Sequence, residues 1–289
     1  MDLLRSLLYV PADSARKLTS ARNLHPDALI FDLEDGVAPD RKLEARRLIQ
    51  EELAHTGDFS AKPFIRVNRF GSPFLEDDLR AAVHPQVYGI VLPKCNEAWE
   101  VDEVHKTLFG LEKQNGMAQG ITKLILMIET AKGVANARDL GQANSRVIAL
   151  VFGAEDYCAD MGIARTKTGN EVTFARSLIA LAARAEGLKA IDGVFTDFKD
   201  AAGLFEETQR IKQIGFTGKT VIHPQQIDVV HSALAPSEQE IAWAEEVVST
   251  FHKAGGGVVV VRGKMIDEPV VMQARRVLQQ SMQSRQKIG

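Results

Sequence analysis

The sequence predicts an α/β fold: a (β/α)8 barrel with a C-terminal extension. Short runs rich in Val, Ile and Leu recur along the chain, each followed by a longer amphipathic stretch, the pattern of a parallel sheet covered by helices. Eight such runs can be counted, which favours a closed barrel over an open doubly wound sheet. The phosphate fingerprint of open sheets is also missing. No G-x-G-x-x-G follows a strand, and Gly215-Phe216-Thr217-Gly218-Lys219-Thr220 has only two residues between its glycines, where a phosphate-wrapping loop needs about four.

Taken in order, strands are expected over 6–10, 28–32, 63–68, 89–93, 124–129, 147–152, 187–192 and 219–222. Between them, segments rich in Ala, Leu, Glu, Lys and Arg predict helices over 42–54, 99–113, 130–140, 172–185 and 200–214. Pro236 and Ser237 then open a helix over 238–253, which Gly255-Gly256-Gly257 breaks. A strand over 258–261, a hairpin turn at Arg262-Gly263-Lys264 and a helix over 268–283 complete the chain. The expected organisation is a catalytic barrel over 1–235 and a helical and hairpin extension over 236–289.

A chain of 289 residues that is 45% hydrophobic can build one large core. Its 35 Lys and Arg face 38 Asp and Glu, so no global field favours nucleic acid or an anionic membrane, and any anionic ligand must be held locally. Two distant cysteines, Cys95 and Cys158, offer neither a disulfide framework nor metal-ligand spacing. No stretch reaches the roughly 20 apolar residues of a membrane span, and the N-terminus lacks the apolar run of a signal peptide. A cytoplasmic protein is expected.

In such a barrel the C-terminal ends of the strands converge on one rim, where catalysis occurs. The fifth strand ends in Met127-Ile128-Glu129-Thr130 and the sixth in Phe152-Gly153-Ala154-Glu155-Asp156, so neighbouring strands deliver carboxylates. Glu129 and Asp156, with no His or Cys cluster nearby, suit a hard cation such as Mg2+. The competing role for both is an acid in the first turn of the following helix. Arg66 sits in the otherwise apolar Phe64-Ile65-Arg66-Val67, where an unpaired charge is costly. Its partner is either a structural carboxylate or a developing oxyanion. Asp32, Glu34 and Asp35 crowd the end of the second strand, and alternation puts Asp32 and Glu34 on one face, leaving Asp35 to the turn or an outer layer around the site. His223, alone among the histidines at a strand end, reads as a packed, hydrogen-bonded side chain. The absence of G-x-S-x-G and H-E-x-x-H removes support for hydrolase triads and zinc proteases.

Several motifs then occur together in order: Arg5-Ser6-Leu7-Leu8-Tyr9-Val10-Pro11, Phe31-Asp32-Leu33-Glu34-Asp35-Gly36-Val37, Arg66-Val67-Asn68, Met127-Ile128-Glu129-Thr130, Phe152-Gly153-Ala154-Glu155-Asp156 and Gly215-Phe216-Thr217-Gly218-Lys219. Ile222-His223-Pro224-Gln225-Gln226 and Gly263-Lys264-Met265-Ile266-Asp267 close the series. Together they resemble the citrate lyase beta-subunit-like family, part of the HpcH/HpaI aldolase superfamily, along essentially the whole chain.

The resemblance implies a TIM barrel whose Mg2+ is bound by Glu129 and Asp156, with Arg66 near a thioester or keto oxygen. It implies that Asp267 enters a neighbouring subunit's site as part of a lid and acts as acid/base. The alternative for Asp267 is an N-cap of the last helix. It also implies an acyl-CoA or carrier-bound thioester substrate, with Arg16 and Lys17 as candidate phosphate contacts; exposed helix cations are otherwise simply solvated. The implied assembly is a homotrimer or a multiple of it. The expected reaction is cleavage of a citramalyl-CoA or malyl-CoA type substrate to acetyl-CoA and a 2-keto acid, pyruvate or glyoxylate. The alternatives are a citryl thioester giving oxaloacetate, a CoA-independent class II aldolase, and a noncatalytic binding barrel. The joint presence of Arg66, Glu129, Asp156 and Asp267 argues against the last.

Overall fold

The computed structural model describes residues 3–55 and 59–286; positions 1 and 289, the outer limits of the two expected domains, lie outside them. The chain divides into two compact units after Ala233.

The first unit runs β1 (Ser6–Pro11), α1 (Ala15–Ala21), β2 (Ala28–Asp32), a 3-10 turn (Pro39–Arg41), α2 (Lys42–Ala54), β3 (Lys62–Arg66), α3 (Leu75–Ala82), β4 (Gly89–Leu92) and α4 (Ala98–Gln114). It continues with β5 (Lys123–Ile128), α5 (Ala131–Ala135), α6 (Ala137–Gln142), β6 (Val147–Phe152), α7 (Ala154–Met161), α8 (Asn170–Ala185), β7 (Lys189–Asp192), α9 (Ala201–Gln213), β8 (Gly218–Val221) and α10 (Gln226–Leu234). The eight parallel strands close in sequence order, with β1 pairing β8 through Ser6 and Lys219. The predicted barrel is therefore the fold, and the open sheet is excluded.

Inside the barrel, alternation stacks Leu7, Ala28, Ile30, Phe64, Val91, Ile125, Met127, Ala149, Val151 and Ile191 into one buried cluster. The same parity, continued two residues toward the rim, reaches Tyr9, Asp32, Arg66 and Glu129. Apolar core and polar site thus occupy one column, and the strand-end residues rest on packed side chains. Gly218, in the discarded phosphate-loop lookalike, has a packing role: a Cβ there would stand 1.9 Å from the Leu4 carbonyl oxygen, so only glycine lets β8 enter.

The expected single helix over 130–140 is two short helices. Asn136 ends α5 and precedes α6 with φ −98° and ψ 11°, and its side-chain amide donates to the Asn96 carbonyl at 2.8 Å. A short polar side chain bound to backbone elsewhere competes with helix continuation.

Two buried ionic networks brace the barrel. Before β6, Arg146 is clamped by Glu112 of α4 at 2.6 and 2.7 Å, donates to the Thr122 carbonyl at 3.0 Å, and donates through Nε to His105 Nδ1 at 2.8 Å. Under the last strands, Asp192 accepts from Arg176 at 2.8 and 3.0 Å and also from Lys219, whose ammonium reaches Glu207 at 2.8 Å. Every charge in these networks has an opposite within hydrogen-bond reach, the condition for burying it.

The second unit holds α11 (Glu238–Lys253), β9 (Val259–Val261), β10 (Lys264–Ile266) and α12 (Glu268–Gln286). Ser237 and Glu240 form a capping box on α11. The hairpin turns through left-handed Arg262 and Gly263, φ 49° and 75°, and Lys264 begins a short second strand. Val261 and Ile266 pack with Ala244, Val247, Phe251, Val271 and Ala274. Among the described residues, no helix is long and apolar enough to cross a membrane.

Candidate active site

The site grows from one cross-strand pair. Asp32 and Arg66 are register partners at the ends of β2 and β3. Arg66 donates through Nε and Nη2 to the two Asp32 oxygens at 2.7 and 2.6 Å, a bidentate fork. Its Nη1 lies 3.1 Å from Glu34 Oε2, and its Cζ sits 4.7 Å over the Tyr9 ring. Burial works against this charge, but the hydrogen bonds to Asp32 together with the neighbouring Tyr9, Asp32 and Glu34 charges outweigh it and raise the Arg66 pKa. In the free protein, then, the anion that meets Arg66 is a structural carboxylate.

Asp32 carries a second load. Its oxygens also accept the Glu34 and Gly36 amides at 2.8 and 2.9 Å, so Asp32, not Asp35, holds the turn after β2. Lys42 fixes the same loop from below, donating to the Leu33 and Glu34 carbonyls at 2.6 and 2.7 Å. Asp35 is left exposed, 4.0 Å from the Lys94 ammonium.

Glu129 follows β5 and does not cap the next helix. Thr130 does that, accepting the Gly133 amide at 2.9 Å. Glu129 Oε1 instead accepts the Lys94 amide at 2.7 Å, and a Cβ at residue 153 would stand 2.5 Å from its Oε2. Gly153 is thus the gap into which the carboxylate fits. Asp156 stands in the first turn of α7, half exposed. Burial, then repulsion from Glu34 and Asp156, pushes the Glu129 carboxyl up to about 8.

Lys94 is the residue that reading the strand ends for acids and bases passed over. Its ammonium donates to Glu34 at 2.9 Å and lies 3.7 Å from Asp156. The only mark in the sequence is its place just past the fourth strand; a lone lysine after Leu92-Pro93 otherwise reads as solvated. Tyr9 and Gly153 were likewise inconspicuous, since one resembles a core aromatic and the other a helix-start glycine.

Around this cluster, five carboxylates (Asp32, Glu34, Asp35, Glu129 and Asp156) meet two cations, Arg66 and Lys94. Asp32, Asp35, Arg66, Glu129 and Asp156 line one rim pocket of about 390 Å3 together with Tyr9, Met127, Gly153 and Thr220. Among the described residues, no three His, Cys, Asp or Glu side chains gather as a closed metal shell. A negative, open, two-carboxylate donor set fits a hard divalent cation that keeps sites for water and substrate oxygens.

Residues 5–224 match the HpcH/HpaI aldolase/citrate lyase family. The chain belongs to that family. It is 38% identical over 279 residues to the citrate lyase subunit beta of Leuconostoc mesenteroides subsp. cremoris, covering 96% of this chain and 92% of that one. To the human mitochondrial citramalyl-CoA lyase it is 34% identical, covering 95% and 84%. The crystal structure of the CitE protein of Mycobacterium tuberculosis, in complex with magnesium, acetoacetate and coenzyme A, has a TM-score of 0.82 at 30% identity, covering 96% and 98%. These HpcH/HpaI relatives are lyases, and the chain is an enzyme of that class.

The remaining expected residues of this family member are not among those that line the pocket. Arg16 and Lys17 are on the exposed side of α1, outside the pocket lining, with Lys17 paired to Asp13 at 3.0 Å. Asp267 belongs to the C-terminal unit, where its Oδ1 accepts the Val270 amide at 3.4 Å before α12, the position of an N-cap. His223 stacks on Phe198 with ring centroids 5.0 Å apart and accepts the Gln225 amide at 3.2 Å, as a packed histidine does.

Proposed function

We propose that the chain is a magnesium-dependent carbon–carbon lyase that splits a 3-carboxy-3-hydroxyacyl thioester, of the citramalyl-CoA or malyl-CoA type, into acetyl-CoA and a 2-oxo acid. The observation that carries this reading is the meeting at one rim of Glu129, just after β5, and Asp156, in the helix after β6, with a guanidinium locked by Asp32. The names and bound ligands of the relatives support it.

Glu129 and Asp156 are assigned as the magnesium ligands; the bound ion supplies a Lewis acid for the oxygens of the 2-oxo-acid fragment. The chain's own residues account for the other half of the substrate. When a general base takes the hydroxyl proton, the oxygen forms the new oxo group as the C2–C3 bond breaks, and the bonding pair passes to the acetyl thioester as an enolate. Arg66, held by Asp32 and stacked on Tyr9, is assigned to take the charge on that enolate oxygen. Asp267 of a neighbouring subunit is assigned the proton returned to the enolate carbon, in a homotrimer or a multiple of it. Arg16 and Lys17 are proposed to meet the CoA phosphates.

A coupled assay with Mg2+, offering citramalyl-CoA, malyl-CoA and citryl-CoA, tests the reaction. Release of acetyl-CoA and a 2-oxo acid from one of them is expected, and Asp156→Ala should lose at least about 100-fold in kcat/KM. Release of free CoA with no oxo acid would mark thioester hydrolysis and overturn the reading, as would no turnover of any of the three.

Asp267→Asn should lower kcat by about 100-fold to 1,000-fold while KM changes little. If the residue serves a neighbour, mixing Asp267→Asn with Arg66→Lys protein should recover part of the activity as hybrid assemblies form. Full activity of Asp267→Asn, or hybrids no better than their parents, would remove the shared-site assignment.

A further inference from the structure

Lys94 combines an uncommon backbone with two contacts to the site. Its φ is 53°, and among the described non-glycine residues only Arg262 is also positive. A residue with a Cβ persists in that left-handed region when its surroundings hold it there, and such outliers gather at functional sites. Here Asn96 donates to the Lys94 carbonyl at 3.0 Å, and the Cys95 amide donates to the Met127 carbonyl at 3.1 Å. Asn96 is itself tied by hydrogen bonds to Thr130 and Asn136.

That conformation sends both halves of the residue to the same cluster. The amide takes Oε1 of Glu129 at 2.7 Å, which leaves Oε2 facing Gly153. The ammonium bridges Glu34 at 2.9 Å and Asp156 at 3.7 Å. Lys94 is absent from the pocket lining, so it acts on the pocket through these carboxylates. Glycine would relieve the backbone but could not place a charge there. Lysine at this position is therefore accounted for by its ammonium.

We infer that Lys94 is a positioning residue and fixed counter-charge: its amide orients Glu129 and its ammonium ties Asp156 to Glu34, so that the pair binds a divalent cation reversibly instead of trapping it. The inference rests on the assignment of Glu129 and Asp156 as cation ligands. A unit positive charge a few ångströms from the cation opposes its binding at the effective dielectric of a partly buried site, while the tie to Glu34 holds Asp156 in place.

The test is Mn2+ binding to the metal-free full chain, followed by electron paramagnetic resonance, beside steady-state kinetics. Lys94→Met keeps the amide and most of the stem and removes the charge. It should bind Mn2+ roughly tenfold tighter than wild type and turn over at least about tenfold more slowly. Lys94→Arg should return affinity to within about threefold of wild type. Unchanged or weaker Mn2+ binding in Lys94→Met, with Glu129→Gln weakening it as expected, would overturn the role of Lys94 alone. If Glu129→Gln leaves Mn2+ binding untouched, the ligand assignment fails and the inference falls with it.

Discussion

Glutamine at position 129 should reduce kcat/KM by about 1,000-fold or more while leaving the thermal midpoint no lower than wild type. The carboxamide oxygen can still accept the Lys94 amide that Glu129 accepts at 2.7 Å, so the loop after β4 keeps its anchor. What changes is the second oxygen, which becomes an amide nitrogen that repels a cation. A loss of about 1,000-fold corresponds to about 4 kcal/mol of transition-state stabilisation, the upper end of what one preorganised polar contact supplies. Stability is expected to hold because burial, then repulsion from Glu34 and Asp156, pushes the Glu129 carboxyl up to about 8; a neutral group there ends both penalties. Gly153→Ala should approach the same phenotype without altering any charge, since its Cβ would stand 2.5 Å from Glu129 Oε2. Steady-state kinetics with a thermal melt separates the outcomes. Activity within tenfold of wild type in Glu129→Gln would remove Glu129 from the machinery.

Arg146→Ala should be the most damaging change away from the rim, costing about 3–5 kcal/mol, the usual result of removing one partner from a buried ion pair. The Arg146 and Glu112 side chains are 1% and 0% exposed, so Glu112 cannot recover its water. The pair also writes a pH dependence. Burial alone would push Glu112 up, but Arg146 and the Thr122 and Gly120 amides hold it down at about 2. A depressed carboxyl stabilises the fold above its ordinary value near 4.5 and loses that contribution as pH falls toward 2. Chemical denaturation of wild type and Arg146→Ala should therefore differ most above about pH 5 and converge in acid. Arg146→Met with Glu112→Gln should be less destabilised than Arg146→Ala, because no buried charge is left alone. Equal stability of wild type and Arg146→Ala at about pH 7 would contradict this account.

The barrel was legible because each strand is a short β-branched or leucine-rich run, and strand ends fell within two residues of expectation wherever the run was bounded by a polar residue. The site was legible to the extent that strand parity reports it. Asp32, Arg66 and Glu129 continue inward-facing positions and could be read from the chain alone. Lys94 could not, because its contribution comes from a left-handed backbone, and nothing in Leu92-Pro93-Lys94-Cys95 announces that conformation. In the β2 loop, alternation correctly puts Asp32 and Glu34 together on Arg66, but it ends where the strand does and does not announce that Asp32 also holds the turn through the Glu34 and Gly36 amides. The split of α5 from α6 depends on an Asn136 contact to a loop 40 residues earlier, which no local window contains.

The pairing of β1 with β8 bears on how the chain is made. Synthesis proceeds from the N-terminus, and domains fold as units once enough chain is available. Asp32 and Arg66 can pair as soon as β3 has left the ribosome, but Ser6 does not meet Lys219 until the eighth strand has emerged. Until then the nascent sheet carries two open edges, each a template for pairing with another chain. The half-built barrel thus depends for protection on speed or on assistance during translation, and the eighth strand ends that exposure.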